Sequence, residues 1–162
     1  MTIIYRLLSF LINVTSVFVA LMAAIIILMA IGAPAMLLPA FMLVSIVLYA
    51  WFSTRFRQQV LMRQQQVKAS LKDWIKVNGY VALVFSFLNI PSSIAIIRNP
   101  SMIVDSYKEM MKQFGTQNQQ LLTASTITTA SYIMLTWVLA LAIHILWTFA
   151  LLKKNESFFE KG

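Results

Sequence analysis

Between Arg6 and Arg55 the chain runs for 48 consecutive residues without a charged side chain. Two more uncharged stretches follow, 21 residues between Lys76 and Arg98 and 40 between Lys112 and Lys153. A soluble domain spreads its charges along every amphipathic element, at about a quarter of all residues. Here only 11% of 162 residues are charged and 60% are hydrophobic. A hydrocarbon core about 30 Å thick needs about 20 apolar helical residues rising 1.5 Å each. The first stretch therefore holds two crossings and each of the others one. This predicts an all-α integral membrane protein, a four-transmembrane-helix bundle forming a single membrane domain over residues 1–162.

The first stretch must turn back, and Gly32-Ala33-Pro34 is where it can, because the residue before a proline avoids the helical region and glycine commonly ends helices. The expected spans are 7–31, 36–52, 75–97 and 131–152. Pro39 falls in the first turn of the second span, where a missing N–H is tolerated. Pro91 lies inside the third and frees one carbonyl, which Ser92, Ser93 or a neighbouring helix can meet. The first span is read as a retained helix and not a cleaved leader, since it is longer than a signal core of roughly 7–15 residues and a second apolar span follows at once.

Orientation follows from the basic residues. With the N-terminus inside, the cytoplasmic side carries Arg6, Arg55, Arg57, Arg63, Lys68, Lys72, Lys76, Lys153, Lys154 and Lys161, and the other side only Arg98, Lys108 and Lys112. Lysine and arginine in short loops stay inside. Both termini are thus expected in the cytoplasm, in a multi-pass protein of a plasma or inner membrane. The net charge of +8 points to anionic lipid head groups and not to nucleic acid, because the cations frame helices instead of gathering on a soluble domain.

The cytoplasmic loop 53–74 lacks glycine and proline and is expected to be helical and amphipathic, with Phe56, Val60, Val67, Leu71 and Ile75 near one face, interrupted at Gln64. It serves either as a lipid-anchored connector or as a docking surface. In the outer loop 98–130, Asn99-Pro100-Ser101 opens a second amphipathic helix that Gly115 closes. Its apolar face holds Ile103, Val104, Tyr107, Met110, Met111 and Phe114, and the segment rests on the membrane, caps the bundle or binds another subunit. Residues 116–130 form either a loose loop or an extension of the fourth span. A cytoplasmic tail, 153–162, completes the chain.

Lipid tails are as apolar as leucine, so small and polar positions mark where helices meet. The first span offers Ser9, Asn13, Ser16, Ala20, Ala23 and Ala30; the third Gly79, Ala82, Ser86, Asn89 and Ser93; the fourth Thr136, Ala140, His144 and Thr148. Spacings near 3.5 favour left-handed packing at small crossing angles. The second span, with only Ala40, Ser45 and Ala50, reads as more lipid-facing. His144 is the sole ionisable side chain inside a span, and such a residue faces the interior. Depth counted from the flanking cations places it level with Ser16 and Ser86, so His144, Ser86, Asn89, Ser16, Asn13 and Thr148 form the candidate polar cluster. It either ties helices together or relays protons or a ligand.

No phosphate-binding glycine loop, catalytic triad, paired intramembrane carboxylates or metal-binding histidine pair occurs, and cysteine is absent. The expectation is a non-enzymatic chain with no cofactor and no bound metal, serving as an interaction or accessory subunit with a protein partner or as a homo-oligomer. The alternative is a small transporter or channel with its polar site around His144.

The charge asymmetry makes a direct prediction. In the naturally cysteine-free chain, an impermeant thiol reagent on intact cells should label Gln117→Cys and leave Gln64→Cys untouched. The reverse pattern would invert the topology.

Overall fold

The computed structural model describes residues 3–113 and 123–159, with backbone alone from 110 to 113. Five α-helices occur among them: α1 Ile3–Ala30, α2 Leu37–Phe56, α3 Ala69–Arg98, α4 Ser101–Gln113 and α5 Ala124–Lys154. Four helical segments are long and apolar enough to cross a membrane: Ile3–Ala30, Pro34–Met62, Ala69–Arg98 and Ala124–Lys154. α1, α3 and α5 outrun the expected spans, at 28, 30 and 31 residues. Charges mark where the hydrocarbon should end, but nothing there breaks the backbone ladder, so the helices continue. Residues 124–130 are the clearest case. Thr123 accepts the Thr126 N–H at 3.2 Å as an N-cap, and the polar run becomes the first turns of α5. Gly115 and residues 116–122 lie outside the described residues.

The first break falls where expected, for a partly different reason. Gly32 has open space around its Cα and does not adopt the left-handed conformation, so it is not needed as a glycine cap. Pro34 instead opens a short tight turn, Pro34–Met36, closed by the Met36 N–H on Ala33 O at 2.9 Å. Pro39 lies in the first turn of α2. α3 continues through Pro91, and the Ser92 hydroxyl turns back to Leu88 O at 2.9 Å, one position beyond the carbonyl that the proline leaves free.

The chain forms two compact units, residues 1–85 with 140–162, and residues 86–139. The first unit joins α1, α2, the first half of α3 and the second half of α5. α1 packs along α2, burying Tyr5, Ser9, Ile12, Ser16, Ala23 and Ala30. α2 buries Ala40, Ser45, Ile46, Tyr49, Ala50, Ser53 and Phe56. The lipid-facing reading of α2 is therefore corrected: it is more buried than α1. Counting only small and polar residues overlooked the large side chains that α2 contributes. In α3, Gly79, Ala82, Ser86 and Ser93 are buried and Asn89 is half-buried, as the stripe requires. Gly79 admits the edge of Phe149, to which any Cβ would stand at 2.8 Å, and Phe149 also meets the Tyr80 ring, centroids 5.1 Å apart.

The loop 53–74 also departs from expectation. α2 passes into a wider turn, Arg57–Met62, which ends at Gln64 in the left-handed conformation (φ 52°), with Gln64 N–H on Val60 O and Gln65 N–H on Gln59 O. It is a hairpin and not a continuous surface helix. The expected apolar set is real but turned inward: Phe56, Val60, Val67, Leu71 and Ile75 are all buried. Part of what covers them is the tail, since Phe159 stacks on Phe56 with centroids 6.1 Å apart and the Val67 N–H binds Phe158 O at 2.9 Å. Lys72 and Glu156 form an ion pair beside this seam. The ammonium holds the Glu156 carboxyl below its usual range, although an exposed pair adds little stability.

In the second unit, Asn99 N–H binds Ala95 O at 3.0 Å and Ser101 Oγ binds Asn99 Oδ1 at 2.6 Å, forming the expected entry to α4. Met102 and Ile103 on α4 are exposed, while Ser93, Ile127, Ser131 and Val138 are buried.

The Gly79 contact supplies the second prediction. Gly79→Val should lower thermal stability in detergent by roughly 1–3 kcal/mol, the usual cost of overpacking, and Phe149→Leu in the same chain should recover part of it. A neutral Gly79→Val would show that the α3–α5 approach is looser than described.

Candidate functional site

The first unit holds five polar side chains from three helices in one hydrogen-bonded set. Each reaches it by helical spacing. Tyr5 and Ser9 stand one turn apart on α1, His144 and Thr148 one turn apart on α5, and Tyr49 lies on α2 one turn after Ser45 and one before Ser53. Ser9 Oγ lies 2.9 Å from His144 Nε2, and Tyr49 OH lies 2.8 Å from His144 Nδ1. The Tyr49 hydroxyl also donates to Thr148 Oγ1 at 3.0 Å. Tyr5 OH is 3.1 Å from that same oxygen, and the Thr148 hydroxyl donates to His144 O at 2.8 Å. Tyr5 and His144 stack nearly parallel, 10° between planes and 5.1 Å between centroids, while Tyr49 meets the imidazole edge-on at 5.7 Å.

The protons can be placed by accounting. Thr148 spends its hydrogen on the His144 carbonyl, so its oxygen accepts from both Tyr5 and Tyr49. Tyr49 has then spent its own proton, which makes it the acceptor for His144 Nδ1–H. Nε2 is left as the lone pair that accepts from Ser9. One neutral imidazole tautomer therefore satisfies every donor. A doubly protonated ring would present two donors to hydroxyl groups and no carboxylate. Tyr5, Tyr49, His144 and Thr148 are all at most 1% exposed, and at such burial an orphaned donor costs about 1–3 kcal/mol.

Of the expected cluster, His144 and Thr148 occupy this network. Ser16 is buried, yet its hydroxyl turns back to Asn13 O at 2.7 Å, and the Asn13 side chain is exposed. Ser86 is buried and Asn89 half-buried in the second unit. On α1 it is Ser9, two turns before Ser16, that meets the imidazole. Depth counting placed the level two turns too far along, because residue counts from flanking cations do not fix the registry between α1 and α5. Tyr5 and Tyr49 were missed altogether. A signal existed: Tyr5 extends the Ser9 stripe by one turn, and Tyr49 completes the Ser45–Ser53 stripe.

Arg57 stands close enough to act electrostatically on Tyr5 and His144. Its Nε is buried and has no hydrogen-bond partner among the described residues. No group of three or more acidic or histidine side chains able to hold a metal occurs among the described residues. Chemically, the arrangement can clamp three helices, or pass a proton along a hydroxyl–imidazole line.

Compared with family models, curated proteins and solved structures, the chain matches none of them.

The shared acceptor yields a double-mutant test. Thr148→Val removes the acceptor of two phenols and should cost about 1–2 kcal/mol. Tyr49 can then donate to Nδ1 of the other tautomer, and Tyr5 keeps only Ser9 within reach. Adding Tyr5→Phe should therefore cost clearly less in the Thr148→Val chain than in the wild type. Strict additivity in thermal unfolding would mean that this bond contributes nothing.

Proposed function

We propose that the chain is a multi-pass membrane protein with both termini in the cytoplasm, a four-helix bundle acting as a non-catalytic interaction or accessory subunit of a membrane assembly. The observation that carries this reading is the closure of the His144 network. Each of its donors is satisfied within the set by a neutral ring, so it holds helices and offers no open coordination for a substrate. The groups left available are on the outside. Phe10, Phe18, Leu28 and Phe87 are among many large exposed apolar side chains, as lipid or a partner helix requires. The α4 segment, with charges on one face and exposed Ile103 on the other, is the candidate contact with a protein partner or a second copy.

A second reading, proton transport, draws on the unpartnered Nε of Arg57 beside the Tyr5–Thr148–Tyr49–His144 line. In that reading the arginine steadies a passing anion or charged intermediate, and His144 exchanges protons.

Mild-detergent purification followed by sizing and mass determination should return the chain with a stoichiometric partner or as a defined oligomer. In proteoliposomes the wild type should show no pH-gated flux, and His144→Gln should fold. A strictly monomeric, partner-free chain with proton flux abolished by His144→Gln would replace the subunit reading with the transport one.

A further inference from the structure

Two grooves in the first unit share one residue. One, of about 600 Å³, runs between α1 and α2, with Val17 and Ala20 facing Val47 at its apolar part and Asn13, Gln58 and Arg55 at its polar part. From Val47 to Arg55 the α2 backbone rises about 12 Å. The other, of about 540 Å³, lies in the hairpin and is lined by Gln59, Gln65, Gln66, Lys68 and Ser70, again with Arg55. Arg55 thus stands where an apolar channel along the helices becomes a polar, glutamine-lined cup. Phe52 stacked on Trp74, 5.6 Å between centroids, forms an aromatic wall of that cup. Trp51 and Trp74 are 64% and 51% exposed, as aromatic side chains at the headgroup level are. Among the described residues the ion pair present is Lys72 with Glu156, so neither Arg55 nor Lys68 is neutralised there.

We infer that these grooves together form a binding site for one anionic glycerophospholipid, its phosphate held by Arg55 and Lys68 and one acyl chain laid in the α1–α2 groove. The graded polarity is that of an amphiphile and not of a free anion, which would have no use for Val17, Ala20 and Val47. Arginine suits the phosphate because its planar fork offers paired donors, and the glutamines can bind the hydroxyls of a glycerol or similar head. A specific site of this kind goes beyond general attraction of cations to an anionic leaflet, since it involves two named cations and not all of the ten on that side. It rests on the membrane part of the proposed function and not on the subunit role.

The test uses the full chain in detergent micelles, titrated with phosphatidylglycerol or phosphatidylcholine carrying brominated acyl chains, with tryptophan quenching as the readout. Saturable quenching should appear at a concentration at least tenfold lower for phosphatidylglycerol, and Trp51→Phe with Trp74→Phe should remove that component. Each lost cation is expected to weaken binding about fivefold. Arg55→Gln with Lys68→Gln should therefore bring phosphatidylglycerol to the phosphatidylcholine level, while Arg98→Gln with Lys108→Gln leaves the preference intact. The single variants and Arg55→Lys are measured alongside, so that a misfolded double variant does not remove the readout. Equal midpoints for the two lipids, or a preference unchanged in Arg55→Gln and Lys68→Gln, would overturn the site. Competition by glycerol phosphate at millimolar concentration would also overturn it, in favour of a free-anion site. Retention of the chain in carbonate-washed membranes tests the membrane reading separately, so its failure is distinguishable from loss of the lipid site.

Discussion

A single hydroxyl oxygen, Thr148 Oγ1, receives Tyr5 from α1 and Tyr49 from α2 while its own proton is tied to the backbone of α5. In lipid this kind of contact matters more than its bare energy, because apolar side chains gain almost nothing by leaving one apolar medium for another, and helices are set by close packing and by hydrogen bonds that have nowhere else to go. With α1, α2 and α5 rotated so that these three side chains meet, the rest of the first unit follows. Ser9 comes to the imidazole of His144, Tyr5 stacks on the ring, and Ile12, Ile46, Leu141 and Ile145 fall to the inside. Phe10, Phe18 and Trp51 are left on the outside.

The packing changes character along α1 and α2. Towards the Pro34 turn the buried positions include the small Ala23, Ala30 and Ala40. Towards the basic end they include Tyr5, Tyr49 and Phe56, which fill the space with aromatic rings and hydrogen bonds. The tail adds to this end: Phe159 covers Phe56, and the Val67 N–H is satisfied by Phe158 O. The hairpin between two long apolar helices must still satisfy its backbone, and the returning tail meets that need for Val67. The same end carries the two grooves at Arg55, where the proposed lipid site lies.

The elements that could be read from sequence were those governed by one-dimensional rules. The helical segments follow from missing charge, the first turn from Pro34, the α3 stripe from the recurrence of Gly79, Ala82, Ser86 and Ser93, and the inward position of His144 from its being the one ionisable side chain inside an expected span. Depth along a helix was less legible. An offset of two turns separated Ser16 from the true partner Ser9, because residue counts from flanking cations do not fix the registry between α1 and α5. The tyrosines were hidden by their size: Tyr5 and Tyr49 look like interfacial or lipid-facing aromatics until both phenols have an acceptor.

By itself the sequence determined that there are four long apolar helices, where the first pair is joined, and which face of α3 is inward, since each depends on composition or period within one segment. The tertiary structure alone decided which residues of different segments share a level. It showed that α2 is an inward element, that the apolar set of the hairpin is buried and covered in part by the tail, and that His144 is held by Ser9 and Tyr49. The physical reason is that registry between helices is set by a few directional contacts across a gap. Those contacts depend on relative rotation and translation to within about one turn, about 5.4 Å, a quantity that no periodicity within a single helix contains.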